Sequence, residues 1–202
     1  VAGVFTLDRN LNAFGSCFNI TASNVELNCA GFYVNYSISS LGYGVNVSNA
    51  ANVTIRNCFI GQNSTIVENS FGILFRNATN VTILNNTIET RSANAHVIRF
   101  LPSTGNNLTS IINNTIKATG GNVMYGILMQ NSAHNYVYNN TVKVNASGPV
   151  GIVIGHDSGN EVAFNNTVLN NTVIITGSAT TPIGISVGAD SNRIENNTIK
   201  MF

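Results

Sequence analysis

Apolar and polar positions alternate in short stretches along the whole chain, and the stretches recur. In Asn80-Val81-Thr82-Ile83-Leu84-Asn85-Asn86-Thr87-Ile88 the β-branched Val81 and Ile83 are two residues apart, which is the period of a strand. Earlier copies are Asn24-Val25-Glu26-Leu27 and Asn52-Val53-Thr54-Ile55-Arg56-Asn57-Cys58-Phe59-Ile60. Later ones end in Asn113-Asn114-Thr115-Ile116, Asn139-Asn140-Thr141-Val142, Asn165-Asn166-Thr167-Val168 and Asn196-Asn197-Thr198-Ile199. An extra copy, Asn170-Asn171-Thr172-Val173, follows directly behind the fifth. Asn57, Asn85 and Asn113 are 28 residues apart, and Asn139 and Asn165 follow at steps of 26. A period in the twenties marks a solenoid, in which no single coil buries its own apolar face.

A second strand lies upstream in each coil: Gly44-Val45-Asn46-Val47, Gly72-Ile73-Leu74-Phe75, Gly126-Ile127-Leu128-Met129, Gly151-Ile152-Val153-Ile154 and Gly184-Ile185-Ser186-Val187. Ile98 and Phe100 hold the same places in the third coil. This predicts an inward column of Val45, Ile73, Ile98, Ile127, Ile152 and Ile185. Parity then requires a third strand. If Ile83 points inward, strict alternation sends Ile88 outward, because the step between them is odd. One residue of the Asn pair must break the alternation, and Asn tolerates the left-handed region better than other non-glycine residues. A further column of short polar residues, Asn49, Asn77, Ser103, Asn131, Asp157 and Asp190, predicts turns after the Gly-Ile strand. Three strands and three corners per coil describe an all-β, triangular, parallel β-helix of about seven coils, about 34 Å long. Residues 17–202 are expected to form this single domain. Residues 1–16 read as a strand, Val1 to Leu7, that belongs to no complete coil, followed by a loop from Asp8 to Ser16.

The repeat resembles the right-handed parallel β-helix repeat of the pectate-lyase-like superfamily over nearly the whole chain. The opening Cys17-Phe18-Asn19-Ile20-Thr21-Ala22-Ser23-Asn24-Val25-Glu26-Leu27-Asn28-Cys29-Ala30-Gly31 is similar to the first coil of secreted β-helix proteins common in archaea. The resemblance implies right-handed winding and an extracellular setting. It implies no activity, because one fold hosts enzymes, adhesins and structural rods alike.

Charge is sparse, with nine basic and eight acidic residues, and gives no electrostatic footprint for nucleic acid or an anionic membrane. No apolar run approaches the roughly 20 residues of a membrane helix, so no membrane insertion is expected. The chain opens on Val1 rather than Met, which fits removal of a leader. A Cys17–Cys29 disulfide would close a short loop in an oxidising compartment. Pairing of Cys29 with Cys58 is a second arrangement, since neighbouring coils bring stacked residues within disulfide reach. Three buried thiols are a third.

Asparagine is the dominant chemistry, at 35 residues. Fifteen stand in Asn-x-Ser/Thr, against about six expected by chance from this composition. Six of these (Asn85, Asn113, Asn139, Asn165, Asn170 and Asn196) belong to the Asn-Asn-Thr corner, where the first Asn is expected to face inward. The other nine are candidate glycan acceptors. Asn35, Asn63 and Asn145 are foremost, since each is expected in the loop after the third strand. Asn19, Asn46, Asn52, Asn77, Asn80 and Asn107 complete the set.

Carbohydrate-active sites need converging carboxylates, or acid clusters holding calcium beside a base. The acids here fall mostly one to a coil. The group nearest to a site, His156, Asp157 and Asp190 with His134 a coil before, has no Arg or Lys, and both Asp residues fall in the turn column. His96 also reads as a corner residue rather than a zinc ligand. No catalytic, cofactor or metal site is therefore expected. Two outward columns are apolar: Leu84, Ile112, Tyr138 and Phe164 before the Asn corner, and Leu74, Leu128 and Val153 on the Gly-Ile strand. They predict a contact stripe. Together these features predict an extracellular structural glycoprotein that joins copies of itself head to tail. The alternative is a carbohydrate-active enzyme or carbohydrate-binding module of pectate-lyase-like ancestry.

Overall fold

Apart from those of the first and last coils, each strand finds its hydrogen-bond partners one coil before and one coil after itself. A computed structural model describes residues 1–65, 67–101, 105–155, 163–177, 181–188 and 190–202. The chain visits three sheets in turn, here A, B and C, and all pairings within them are parallel. Sheet A has eight strands, from Gly3–Thr6 to Arg193–Glu195. Sheet B also has eight, from Leu11–Asn12 to Thr198–Met201. Sheet C has seven, from Phe18–Ile20 to Ile183–Val187. The described residues contain no helix.

The inward column of sheet C is as the sequence predicts: Val45 pairs with Ile73, Ile73 with Ile98, Ile98 with Ile127, Ile127 with Ile152, and Ile152 with Ile185. Ile55, Ile83 and Ile111 stack likewise on sheet A, and Ile60, Ile88 and Ile116 on sheet B. All but the half-buried Ile185 are buried, so the core is a continuous shaft of β-branched side chains. The Gly that opens the sheet C strands has a steric cause. A Cβ at Gly44, Gly72, Gly126 or Gly151 would collide with the inward Ile60, Ile88, Val142 or Val173 of sheet B.

The break in alternation falls on the first residue of the Asn pair. Asn57, Asn85, Asn113, Asn139, Asn170 and Asn196 all have φ between 51° and 57°. Asn49, Asn77 and Asn131 likewise take positive φ after sheet C. Ser103 and Asp157 lie outside the described residues, and Ser191, not Asp190, carries the positive φ in the last coil.

Four expectations need correction. Residues 1–16 do not stand apart from the solenoid. Gly3–Thr6 pairs with Val25–Asn28 of sheet A, and Leu11–Asn12 with Val34 and Asn35 of sheet B. The register sets Phe5 over the inward Leu27, so this segment is two sides of a coil. The fifth A–B corner is Asn170-Asn171, since Tyr138 pairs with Leu169 and Thr141 with Thr172. Asn165-Asn166 instead opens the sheet A strand, and Leu169 rather than Phe164 holds the outward place. The contact stripe is largely covered: Leu74, Leu128 and Val153 are buried, and Leu84, Ile112 and Tyr138 are half-buried. Finally, Cys29 is bonded to Cys58, with Cα atoms 4.7 Å apart, and Cys17 is free. Cys17 stands at the start of sheet C, whereas Cys29 and Cys58 occupy the same A–B corner in successive coils. Rung stacking, not proximity in sequence, chooses the pair.

Candidate functional site

At each A–B corner the first Asn turns the chain and the second faces inward. Asn86 donates to the Oδ1 of Asn114 from both its backbone N–H (2.8 Å) and its Nδ2 (3.0 Å). Asn114 does the same to Asn140, Asn140 to Asn171, and Asn171 to Asn197. The Nδ2 of each also donates to a carbonyl of an earlier coil, such as Ile55 for Asn86 and Ile83 for Asn114. Every amide group in this buried column is therefore used, as a buried polar column requires. Cys58 heads the column: its N–H donates to the Oδ1 of Asn86 at 2.9 Å, and its sulfur is bonded to Cys29.

A second ladder runs along the C–A corner. Asn135 donates to Asn166, and Asn166 to Asn192, again from backbone and side chain together. Ala78 and Thr109 donate backbone N–H groups to Asn106 and Asn135. The sequence hid this ladder, because Asn106, Asn135 and Asn192 sit in unlike neighbourhoods. Only Asn166 lies in an Asn-Asn-Thr copy.

The corner acceptors reverse the expectation that they face inward. Asn85, Asn113, Asn139, Asn165, Asn170 and Asn196 are all exposed, while the second Asn of each pair enters a ladder. Of the three foremost candidates, Asn63 and Asn145 are exposed, Asn63 just past the strand Phe59–Gln62 and Asn145 at the end of Thr141–Asn145. Asn35 is not in a loop: it lies within Tyr33–Tyr36, half-buried, with its Nδ2 donating to Asn12. Others form exposed amide stacks, Asn24 with Asn52, Asn49 with Asn77, and Asn19 with the half-buried Asn46. Asn52 stacks in turn on Asn80. Asn107 accepts the N–H of Ala133.

The outward face of sheet B is the most chemically varied surface. All three lysines of the chain, Lys117, Lys143 and Lys200, fall in one column there, Lys117 directly beside Lys143. Glu89 sits one rung before and pairs with both Lys117 (2.9 Å) and Arg91 (3.2 Å). Partial burial works to raise its carboxyl pKa, but the two cations outweigh this and hold it below the ordinary range. Toward the N-terminal end Tyr33 and Phe59 stack at 5.0 Å between ring centroids, 50% and 38% exposed. Gly61, between Asn35 and Glu89, leaves a shallow depression of about 110 Å³ beside the rings.

The residues nearest to a catalytic group are not brought into a described site. His156, Asp157 and Glu161 lie outside the described residues, Asp190 is exposed, and His134 packs edge-on against Phe164. His96 is buried between Phe71 and Tyr125, its Nδ1 accepting the Tyr125 N–H. Among the described residues no three His, Cys, Asp or Glu side chains come together as metal ligands. Burial pushes the Cys17 thiol pKa up, which lowers its reactivity.

The two ends of the solenoid differ from its faces. At the N-terminal end Val4, Phe5, Leu7, Phe18, Ile20 and Leu27 line an apolar cavity of about 610 Å³. At the other, Ile199, Met201 and Phe202 are exposed.

A family described as right handed beta helix region matches residues 15–173. No curated protein matches the chain, and no solved structure does.

Proposed function

The chain belongs to the right-handed β-helix family, and from that premise we propose that it is an extracellular structural glycoprotein whose ends join copies head to tail into a filament. The observation that carries this reading is the apolar character of the first and last coils among the described residues. Within the described residues Gly3–Thr6, Leu11–Asn12 and Phe18–Ile20 have a partner strand on one side only, as do Arg193–Glu195, Thr198–Met201 and Ile183–Val187 at the other end. Unpaired parallel edges are templates for another chain. Stacking one copy on the next sets Ile194 over Phe5, Ile199 over Leu11 and Ile185 over Phe18, which extends all three inward columns. A heterologous contact of this kind builds an open filament. The faces favour this over side-by-side packing. Sheet A carries the ion pairs Glu26–Arg56 and Arg193–Glu195, and sheet B its lysine column.

The test is removal of residues 1–7, with Phe5→Asp as a full-length counterpart. Both are expected to shorten or abolish filaments while the remaining coils keep their β-type circular dichroism. Filaments of normal length and thermal stability in both variants would show that the junction is not made this way.

A second reading, a carbohydrate-binding module, is favoured by the exposed Tyr33–Phe59 pair beside the Gly61 depression, with Asn35, Glu89 and Arg91 at its rim. A flat aromatic surface with a polar rim suits one face of a sugar ring. Titration with neutral and acidic oligosaccharides, followed by tyrosine fluorescence, tests it. Equal and negligible responses from the native protein and a Tyr33→Ala, Phe59→Ala variant would retire it.

A further inference from the structure

We propose that Asn85, Asn113, Asn139, Asn170 and Asn196 form a single file of N-glycan acceptors along the A–B edge, filled on alternate rungs. This rests on the glycoprotein reading above and assigns it a place on the molecule.

The corner divides its Asn-Asn-Thr tripeptide between core and solvent. The first Asn is exposed and the Thr lies outward, exposed or half-buried, while only the middle Asn turns in to the ladder. An N-glycan acceptor motif needs the first and third residues and leaves the second nearly free. The fold thus uses the one residue that glycosylation does not, and leaves the other two in solvent.

The chain contains its own control. Asn57-Cys58-Phe59 makes the same corner, with Asn57 at φ 55° and Phe59 in register with Thr87. Tyr33 precedes Phe59 in that column. The corner therefore needs no threonine, and large aromatic residues serve it. Yet each of the next five rungs carries Thr: Thr87, Thr115, Thr141, Thr172 and Thr198. The preference of Asn for left-handed backbone accounts for the first position. It does not account for the unbroken threonines.

In the modification step the Nδ2 of the acceptor attacks the anomeric carbon of a phosphate-activated glycosyl donor. The C–N bond forms, the anomeric C–O bond breaks with its electron pair leaving on the phosphate, and Nδ2 loses one proton. One Nδ2–H remains. Successive rungs are about 4.8 Å apart, and the Nδ2 of Asn139 already donates to the Oδ1 of Asn113 at 2.9 Å. Asn113 and Asn139 are in contact, and at this rung spacing a sugar on one corner covers the next. Occupancy then falls on Asn85, Asn139 and Asn196, or on Asn113 and Asn170, in any one molecule.

The test is fragmentation of the intact protein in a mass spectrometer, after secretion from a host that glycosylates Asn-x-Ser/Thr. The expected result is sugar on the corner asparagines with no two adjacent rungs filled in one molecule. Thr115→Val should abolish sugar at Asn113, raise it at Asn85 and Asn139, and leave the melting temperature unchanged. Sugar at Asn63 and Asn145 with bare corners would overturn this inference and leave the glycoprotein reading standing. A chain without sugar anywhere would overturn both. Frequent filling of adjacent rungs would overturn the alternation.

Discussion

The first coils and the later ones close the same A–B corner by different means. From Asn86 onward the inward corner residue is an amide, and successive coils are joined by shared hydrogen bonds. In the two coils before, the same position holds Cys29 and Cys58, joined covalently. In the coil before those the position is Leu7, whose N–H donates to the carbonyl of Asn28. The disulfide thus stands where the ladder stops. Each amide of the column accepts at its Oδ1 from the coil before, and the last rung, Asn197, places its Nδ2 on the carbonyls of Val168 and Glu195. A disulfide satisfies itself within its own pair. This difference teaches that one inward corner position can join successive coils either by shared hydrogen bonds or by a covalent bond, and that here the covalent pair leads directly into the ladder.

The comparison can be broken at its centre. Asn114→Ala removes the acceptor of two buried donors on Asn86 and the donors to Asn140 and Ile83. It should cost about 3 to 5 kcal/mol, measured by denaturant unfolding, with no change in the disulfide. A loss under 1 kcal/mol would mean the ladder is incidental to stability. Next, Cys29→Ala with Cys58→Ala should cost about 3 to 4 kcal/mol through the loop entropy of a 29-residue separation. The sharper variant is Cys29→Asn with Cys58→Asn, which extends the ladder by two rungs. It should recover about 1 to 2 kcal/mol of that loss, and no recovery over the alanine pair would contradict the equivalence of the two devices. The smallest effect lies on the open face of sheet B. The Glu89 carboxyl has a lowered pKa when folded, so its contribution is present above the unfolded value and fades as pH falls through the folded one. Acid titration of the melting temperature should show a slight decline there that Glu89→Gln removes.

Much of this was legible in the sequence, for reasons tied to particular residues. The Gly-Ile strands and the Asn pairs repeat because steric closure and left-handed backbone recur at each coil, and such demands leave period and parity in the text. What escaped was set by register rather than by local pattern. Asn165-Asn166-Thr167-Val168 and Asn170-Asn171-Thr172-Val173 read alike, yet they serve different corners, and only strand pairing separates them. Cys17 and Cys29 are near in sequence but lie at different corners. Leu128 and Val153 pack with Val150 and Tyr125 on the outward side of sheet C, a contact among neighbouring coils that alternation within one strand does not reveal. Likewise Leu11–Asn12 is too short to announce itself as a strand, and its place comes from its partner Val34. Of the candidate acceptors, exposure was misread because parity alone did not say which Asn of the pair takes the turn.

The central claim, association through the solenoid ends, is tested most directly by electron microscopy of the purified protein across a range of concentrations. The account predicts unbranched rods one solenoid wide, whose length grows with concentration and whose ends alone make contacts. Discrete single particles at every concentration, or rods joined along their sides, would contradict it.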